Sequence, residues 1–248
     1  MIFLKNTDVW GFEHAIRGMR NPMNSWKKSD SGYEYGCNRI TCEMCEDKEY
    51  CKSQLIEPDA VYVTGQNDLD LMKRLSKAGT DHRKFLRQIF VSVDITAPLY
   101  WWKEADTYKV GTVANSCSTM HKIHDKEFTL DDFSCEHLID YVTEEDKFCV
   151  WYNEEYINSA KDVLEFTIEA LNKYRYCYLE TKDKKYWWQM IQLLPSSYNQ
   201  MRTVTLNYEV LINQYFARRN HKLDEWHTYC EWIESLPYMK ELIKVLEE

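Results

Sequence analysis

In the segment Phe90-Val91-Ser92-Val93-Asp94-Ile95, Val91, Val93 and Ile95 fall on one side and Ser92 and Asp94 on the other, the two-residue period of a half-buried strand. Most of its surroundings carry the other period. Leu69, Leu71, Met72, Leu75 and Ala78 share one helical face, with Asn67 or Asp68 as the expected cap and Gly79 as the stop. Val163, Leu164, Phe166, Ile168 and Leu171 predict an amphipathic helix from Ser159 to about Tyr174. Further helices are expected over Trp187 to Leu194, over Arg202 to Arg218 with Leu206, Val210, Leu211 and Phe216 inward, and over Asp224 to Glu234 and Leu236 to Leu246. There is no internal repeat and no glycine-rich phosphate loop, so a dinucleotide fingerprint and a P-loop are both excluded. The pattern reads as a single α+β domain over residues 1–248, least regular from about 25 to 60.

A formal charge of −9 argues against an extended nucleic-acid surface, because phosphate neutralisation needs clustered Lys and Arg; a local basic pocket stays open. No apolar run approaches the ~18 residues of a membrane span, and Met1-Ile2-Phe3-Leu4-Lys5-Asn6 has no export pattern, so the chain reads as soluble and cytoplasmic. Nine cysteines in that setting point to thiols or metal ligands rather than to a disulfide framework. Cys37, Cys42, Cys45 and Cys51 are spaced C-x4-C-x2-C-x5-C. Four thiolates that close in sequence can surround zinc and fix a loop that cannot fix itself. Iron–sulfur ligation and plain reduced thiols compete with zinc there, and each role is structural.

Two other groupings carry polar chemistry. Asn115-Ser116-Cys117-Ser118-Thr119-Met120-His121 has hydroxyls and an imidazole suited to a phosphate or a base edge, and also reads as a Ser/Thr-rich turn with Cys117 buried. On the helix expected over Arg202 to Arg218, Asn207 and Arg218 fall nearly on one face, with Asn213 between them; solvated helix surface is the simpler account of all three.

The order of these residues resembles that of the flavin-dependent thymidylate synthases. Leu194-Pro195 is followed, at the family's ungapped distance, by Thr205-Leu206-Asn207, then Leu211, Asn213 and Arg218, and His82 lies sixteen residues before Pro98 as in the family's Gly-His segment. The likeness runs over Asn67 to His121 and Trp187 to about Glu234. The family's Arg-His-Arg signature falls here on Thr107-Tyr108-Lys109. Its Asn-Glu-x-Ser-x-Arg becomes Asn115-Ser116-Cys117-Ser118-Thr119-Met120, after a one-residue insertion, with Asn115 and Ser118 retained. Met120 cannot replace an arginine's bidentate, charge-assisted contact to phosphate.

The resemblance implies a thymidylate synthase-like α+β fold with a β-sheet core and long helices. It implies one-carbon transfer to C5 of a pyrimidine deoxynucleotide, with reduced FAD as hydride source and a folate as carbon donor. It also implies a homotetramer with sites between subunits. On this reading His82, Lys109, Asn207 and Asn213 contact the cofactor, Asn115, Ser118 and Arg218 contact the nucleotide, and no protein nucleophile is needed. The alternative is a noncatalytic nucleotide-binding or protein-interaction protein on the same scaffold. Tyr33, Tyr35 and Tyr100-Trp101-Trp102 would then form a partner surface, unless burial in the core accounts for those rings.

Overall fold

Alternation of apolar residues builds the central sheet. In strand β4 (Phe90–Pro98), Val91, Val93, Ile95 and Ala97 are buried, while Phe90, Ser92, Asp94 and Thr96 are not. β4 lies between β1 (Phe3–Trp10) and β8 (Asn199–Asn207), and β5 (Val113–Ser116) completes the order β1-β4-β8-β5. β5 runs antiparallel to β8, in register from Val113 opposite Thr205 to Ser116 opposite Arg202. Two smaller antiparallel ribbons pair β2 (Gly32–Tyr35) with β3 (Ala60–Val63) and β6 (Val150–Tyr152) with β7 (Glu155–Ile157). This computed structural model describes residues 1–35, 60–140, 143, 150–152, 155–157 and 159–248; Cys37, Cys42, Cys45 and Cys51 lie outside them.

The helix expected over Arg202 to Arg218 is a strand followed by a helix. Thr203, Val204, Thr205 and Leu206 alternate outward and inward and are mostly β-branched, so this stretch belongs to β8. α6 (Tyr208–Arg218) starts only after Asn207, whose Oδ1 accepts the Val210 N–H at 3.1 Å.

Contacts divide the chain into two compact units. One comprises Met1–Asp8, Ser92–Thr205 and Phe216–Trp232, and the other Val9–Val91, Leu206–Tyr215 and Ile233–Glu248. Each is assembled from separated stretches, so no single cut in the chain isolates either.

The first unit holds most of the sheet together with α3 (Leu99–Ala105), α4 (Ala160–Thr181) and α5 (Lys184–Leu193). α4 opens on a reciprocal cap, Ser159 Oγ accepting from Asp162 N at 3.1 Å and Asp162 Oδ2 from Ser159 N at 3.0 Å. It runs on past the expected end at Tyr174 to Lys182, which adopts the left-handed conformation (φ 54°). Leu171 and Met190 are fully buried where α4 and α5 pack, beside Phe128, Phe133 and Ile168. Trp101 and Trp102 are buried too, Trp101 lying 4.7 Å from Trp226 and 5.5 Å from Tyr229 between ring centres, so this aromatic run is core rather than partner surface.

The second unit contains α1 (Phe12–Arg20), α2 (Gln66–Lys77), a 3-10 segment, Arg83–Gln88, and α8 (Met239–Glu247), which follows α7 (Asp224–Ser235) in the chain. α1 packs against that segment, and Gly11 (φ +98°) permits it because a Cβ there would strike the Gln88 carbonyl. α2 is not capped by Asn67 or Asp68. The carboxylate of Asp30, from a distant loop, accepts the Asn67 N–H at 2.9 Å and the Asp68 N–H at 3.2 Å. Among the described residues no helix is long and apolar enough to cross a membrane.

Candidate functional site

His82 is exposed at the head of the 3-10 segment, whose Phe85 and Leu86 anchor it in the core and leave its basic residues outward. Arg83 and Arg87 converge on Glu209, in the first turn of α6 and 126 residues from Arg83. Arg83 Nε lies 3.4 Å from Glu209 Oε1, and Arg87 binds both carboxylate oxygens through Nε and Nη2. Glu209 is only 8% exposed, a burial that a carboxylate tolerates when cations and hydrogen bonds compensate its lost hydration. Arg83 Nη2 also reaches Asn213 Oδ1 at 3.5 Å. The His82 segment and the start of α6 therefore meet, which brings two of the sequence-selected stretches together. Arg83, Arg87 and Glu209 were missed in the sequence; the basic i, i+4 pair was the available signal, but its acidic partner is remote.

His82 and Gln88 also line a cavity of about 500 Å³ whose walls include Met19, Met23, Leu75 and Phe85. Mostly apolar walls with a few polar groups suit a flat aromatic ring with polar edges.

In the first unit, Arg218 is held in an aromatic and acidic box. Its Nε donates to the Tyr108 hydroxyl at 2.9 Å and its Nη1 to Glu104 Oε2 at 2.8 Å, while the guanidinium lies 4.9 Å from the Trp226 ring centre. Glu104 Oε2 accepts from Trp226 Nε1 at 3.3 Å as well, and His221 Nε2 lies 3.1 Å away. Tyr108 is the central residue of the triplet aligned with Arg-His-Arg. Glu104, missed in the sequence, stands four residues before Tyr108 at the end of α3.

The remaining selected residues are solvent-facing. Asn115 lies on the edge strand β5, opposite Thr203 of β8. Ser118 Oγ accepts the N–H groups of Met120 at 3.2 Å and His121 at 2.8 Å, closing a turn. Lys109 is exposed in the turn before Gly111 (φ +75°). Cys117, expected to be buried, is an exposed free thiol; its backbone N–H donates to the Met201 carbonyl oxygen at 2.9 Å, just past the end of β5. Among the described residues no group of three or more His, Cys, Asp or Glu is arranged to hold a metal ion.

No family model and no curated protein sequence matches the chain. Its structure does match solved ones. Thymidylate synthase X (ThyX) from Helicobacter pylori with FAD and dUMP superposes at a TM-score of 0.57 and 15% identity, over 100% of this chain and 99% of that one. The chain has the fold of the flavin-dependent thymidylate synthases. A second H. pylori ThyX structure, complexed with FAD and dUMP, gives 0.57 at 16% identity over 99% and 97% of the two chains. The UMP/dUMP methylase PolB from Streptomyces cacaoi, bound with 5-Br UMP, gives 0.53 at 12% over 99% and 92%. The ThyX-like backbone path thus persists where few side chains do, and α+β is the class expected from the sequence.

Proposed function

We propose that the protein is a divergent, ThyX-like flavoprotein that binds FAD and a pyrimidine nucleotide and transfers one carbon to C5 of the pyrimidine. The observation that carries this reading is the contact between the His82 segment and α6 through Arg83, Glu209 and Asn213. It joins two distant stretches that both carry family flavin positions, on a fold shared over its full length with proteins that bind FAD and dUMP.

His82, Asn207 and Asn213 would hold the flavin, and the apolar-walled cavity beside His82 has the chemistry to receive its ring. Arg83 and Arg87 share the Glu209 carboxylate, which leaves one net positive charge beside Asn213. Asn115, Ser118 and Arg218 are assigned to the nucleotide. FAD, when bound, supplies the hydride, and a reduced folate supplies the carbon. The chain's own part is to hold flavin, base and carbon donor in register and to keep water away, which needs no protein nucleophile. The assembly is a homotetramer in this reading.

The test is the absorption spectrum of the purified protein titrated first with FAD and then with dUMP. A flavin band that dUMP perturbs is the expected result; neither binding event, in folded protein, would overturn the proposal.

One observation favours a noncatalytic nucleotide-binding protein instead. Arg218 has its Nε on Tyr108 and its Nη1 on Glu104, and Met120 stands where the family has a second arginine. Release of label from C5-tritiated dUMP, with reduced FAD and methylene-folate present, separates the readings. Binding without release supports the noncatalytic one.

A further inference from the structure

We propose that a basic cavity beside α2 binds a small molecule carrying clustered phosphate groups. The cavity has a volume of about 790 Å³, and Arg20, Lys27, Lys28, Lys73 and Arg74 line it, with Asp70 as the lining carboxylate. Such a concentration of positive charge runs against a protein whose net charge is −9.

The charges come from three places: the end of α1, the turn Trp26–Lys28, and α2. Arg20 is neutralised by Asp68. Among the described residues the other four cations are compensated less well. Lys27 and Lys28 form no ion pair among the described residues, Lys73 meets Asp70 only at 4.0 Å, and Arg74 donates to a backbone oxygen, that of Asp70, at 3.4 Å. Bringing like charges together costs free energy that an anionic ligand would recover.

The walls are also fixed. Asp68, fully buried, accepts from Arg20 Nε at 2.5 Å, Ser29 Oγ at 2.6 Å and Ser31 Oγ at 2.7 Å, and from the backbone N–H groups of Asp30 and Ser31 at 3.2 Å. This hub ties the loop after Lys28 and the end of α1 to α2, so the backbone that carries the cations is held in place before any ligand arrives. The N-terminus of α2 is not the anion's partner, because the Asp30 carboxylate already occupies it; Gly65 carries no Cβ that would strike that carboxylate.

Lysines arranged as point charges, with the Asn67 side-chain amide as a neutral donor on the same wall, suit phosphate oxygens. The volume suits a di- or triphosphate-bearing molecule, and a concave site rather than a basic stripe favours a small ligand over a nucleic-acid strand. The cavity shares no lining residue with the one beside His82, so it stands independently of the flavin reading.

Calorimetric titration of the full chain with inorganic tripolyphosphate tests this. Saturable binding that weakens with salt is expected. Lys27→Ala/Lys28→Ala should weaken it by about tenfold or more, while Lys27→Arg/Lys28→Arg stays within about threefold of wild type. Lys240→Ala, an exposed lysine on α8, should leave it unchanged. Lys27 and Lys28 are exposed, so these variants preserve the fold. The proposal is overturned by absence of binding in wild type, by an equal loss in Lys240→Ala, by displacement of tripolyphosphate by a single-stranded oligonucleotide at lower concentration, or by competitive displacement by FAD.

Discussion

Asp68 illustrates how one residue ties distant stretches of chain together. Burial alone would push its carboxyl up, but hydrogen bonds from Ser29, Ser31 and Arg20, together with the Arg20 charge, outweigh it and hold the group below the usual carboxylate range. A depressed folded value means that the ionised form contributes stability above the ordinary carboxylate pKa. That contribution is lost as pH falls through the folded value. Asp68→Asn should cost about 3–5 kcal/mol at neutral pH, since it leaves Arg20 buried without its counter-charge. Acid unfolding should then be shallower than in wild type below about pH 4. Denaturant titrations at several pH values check both, and parallel acid limbs would show that Asp68 is not the titrating group. Asn207 offers a second residue-scale separation. Its Oδ1 caps α6, so Asn207→Ala should lose about 0.5–2 kcal/mol of stability, while Asn207→Asp keeps the acceptor and most of that stability. If the amide N–H₂ also faces the flavin, both variants weaken FAD binding, and equal FAD affinity in wild type and Asn207→Asp would confine Asn207 to capping.

At the scale of elements, the hairpin of α4 and α5 carries the clearest core. Leu171 and Met190 are fully buried there, and Leu171→Ala should destabilise by about 2–5 kcal/mol, depending on how far the site collapses. Thermal unfolding with FAD present and absent reads both the loss and any compensation by ligand. Helix α4 was legible from Leu164, Ile168 and Leu171, which are buried on one face, but Val163 and Phe166, expected on that face, are exposed. The boundary between β8 and α6 was not legible. Leu206, Val210 and Leu211 fit a helical face by spacing, and only the alternation of Thr203, Val204, Thr205 and Leu206 argued for the strand. Pairing with β5 and burial of Val204 and Leu206 decide it, and both depend on residues far away in the chain. Strand β1 and helix α1 were likewise not anticipated, since β1 is an edge strand with mostly exposed residues and little alternation to read.

For the whole molecule, exposed apolar residues on the sheet set the expectation. Val113 is 67% exposed on β5, and Phe3 and Met201 line a shallow cavity of about 340 Å³ together with Asp94 and Thr96, the outward positions of β4. A sheet face that is exposed and partly apolar among the described residues is a surface that a second copy of the chain can cover. If the proposed homotetramer forms, light scattering should give a particle of roughly 120 kDa, four times the 29.9 kDa chain. Met201→Glu, with a charge on that face, should shift the mass downward; a wild-type monomer at micromolar concentration would refute the tetramer.

Periodicity alone determined most of the helices, the strand β4 and hence the α+β class, because helix and strand periods reflect which side of a local segment meets the core. The order Leu194-Pro195, Asn207, Asn213, Arg218 was enough to expect the thymidylate synthase-like fold that the structural comparisons show. Tertiary structure alone decided what those side chains touch. Arg218 meets Glu104 and Tyr108, Arg83 and Arg87 meet Glu209, and Asp30 caps α2, each across a span of sequence with no periodic signature. Charge pairing and capping depend on distance in space, which a linear pattern does not encode, so the partners of the site residues emerge only once the chain has folded.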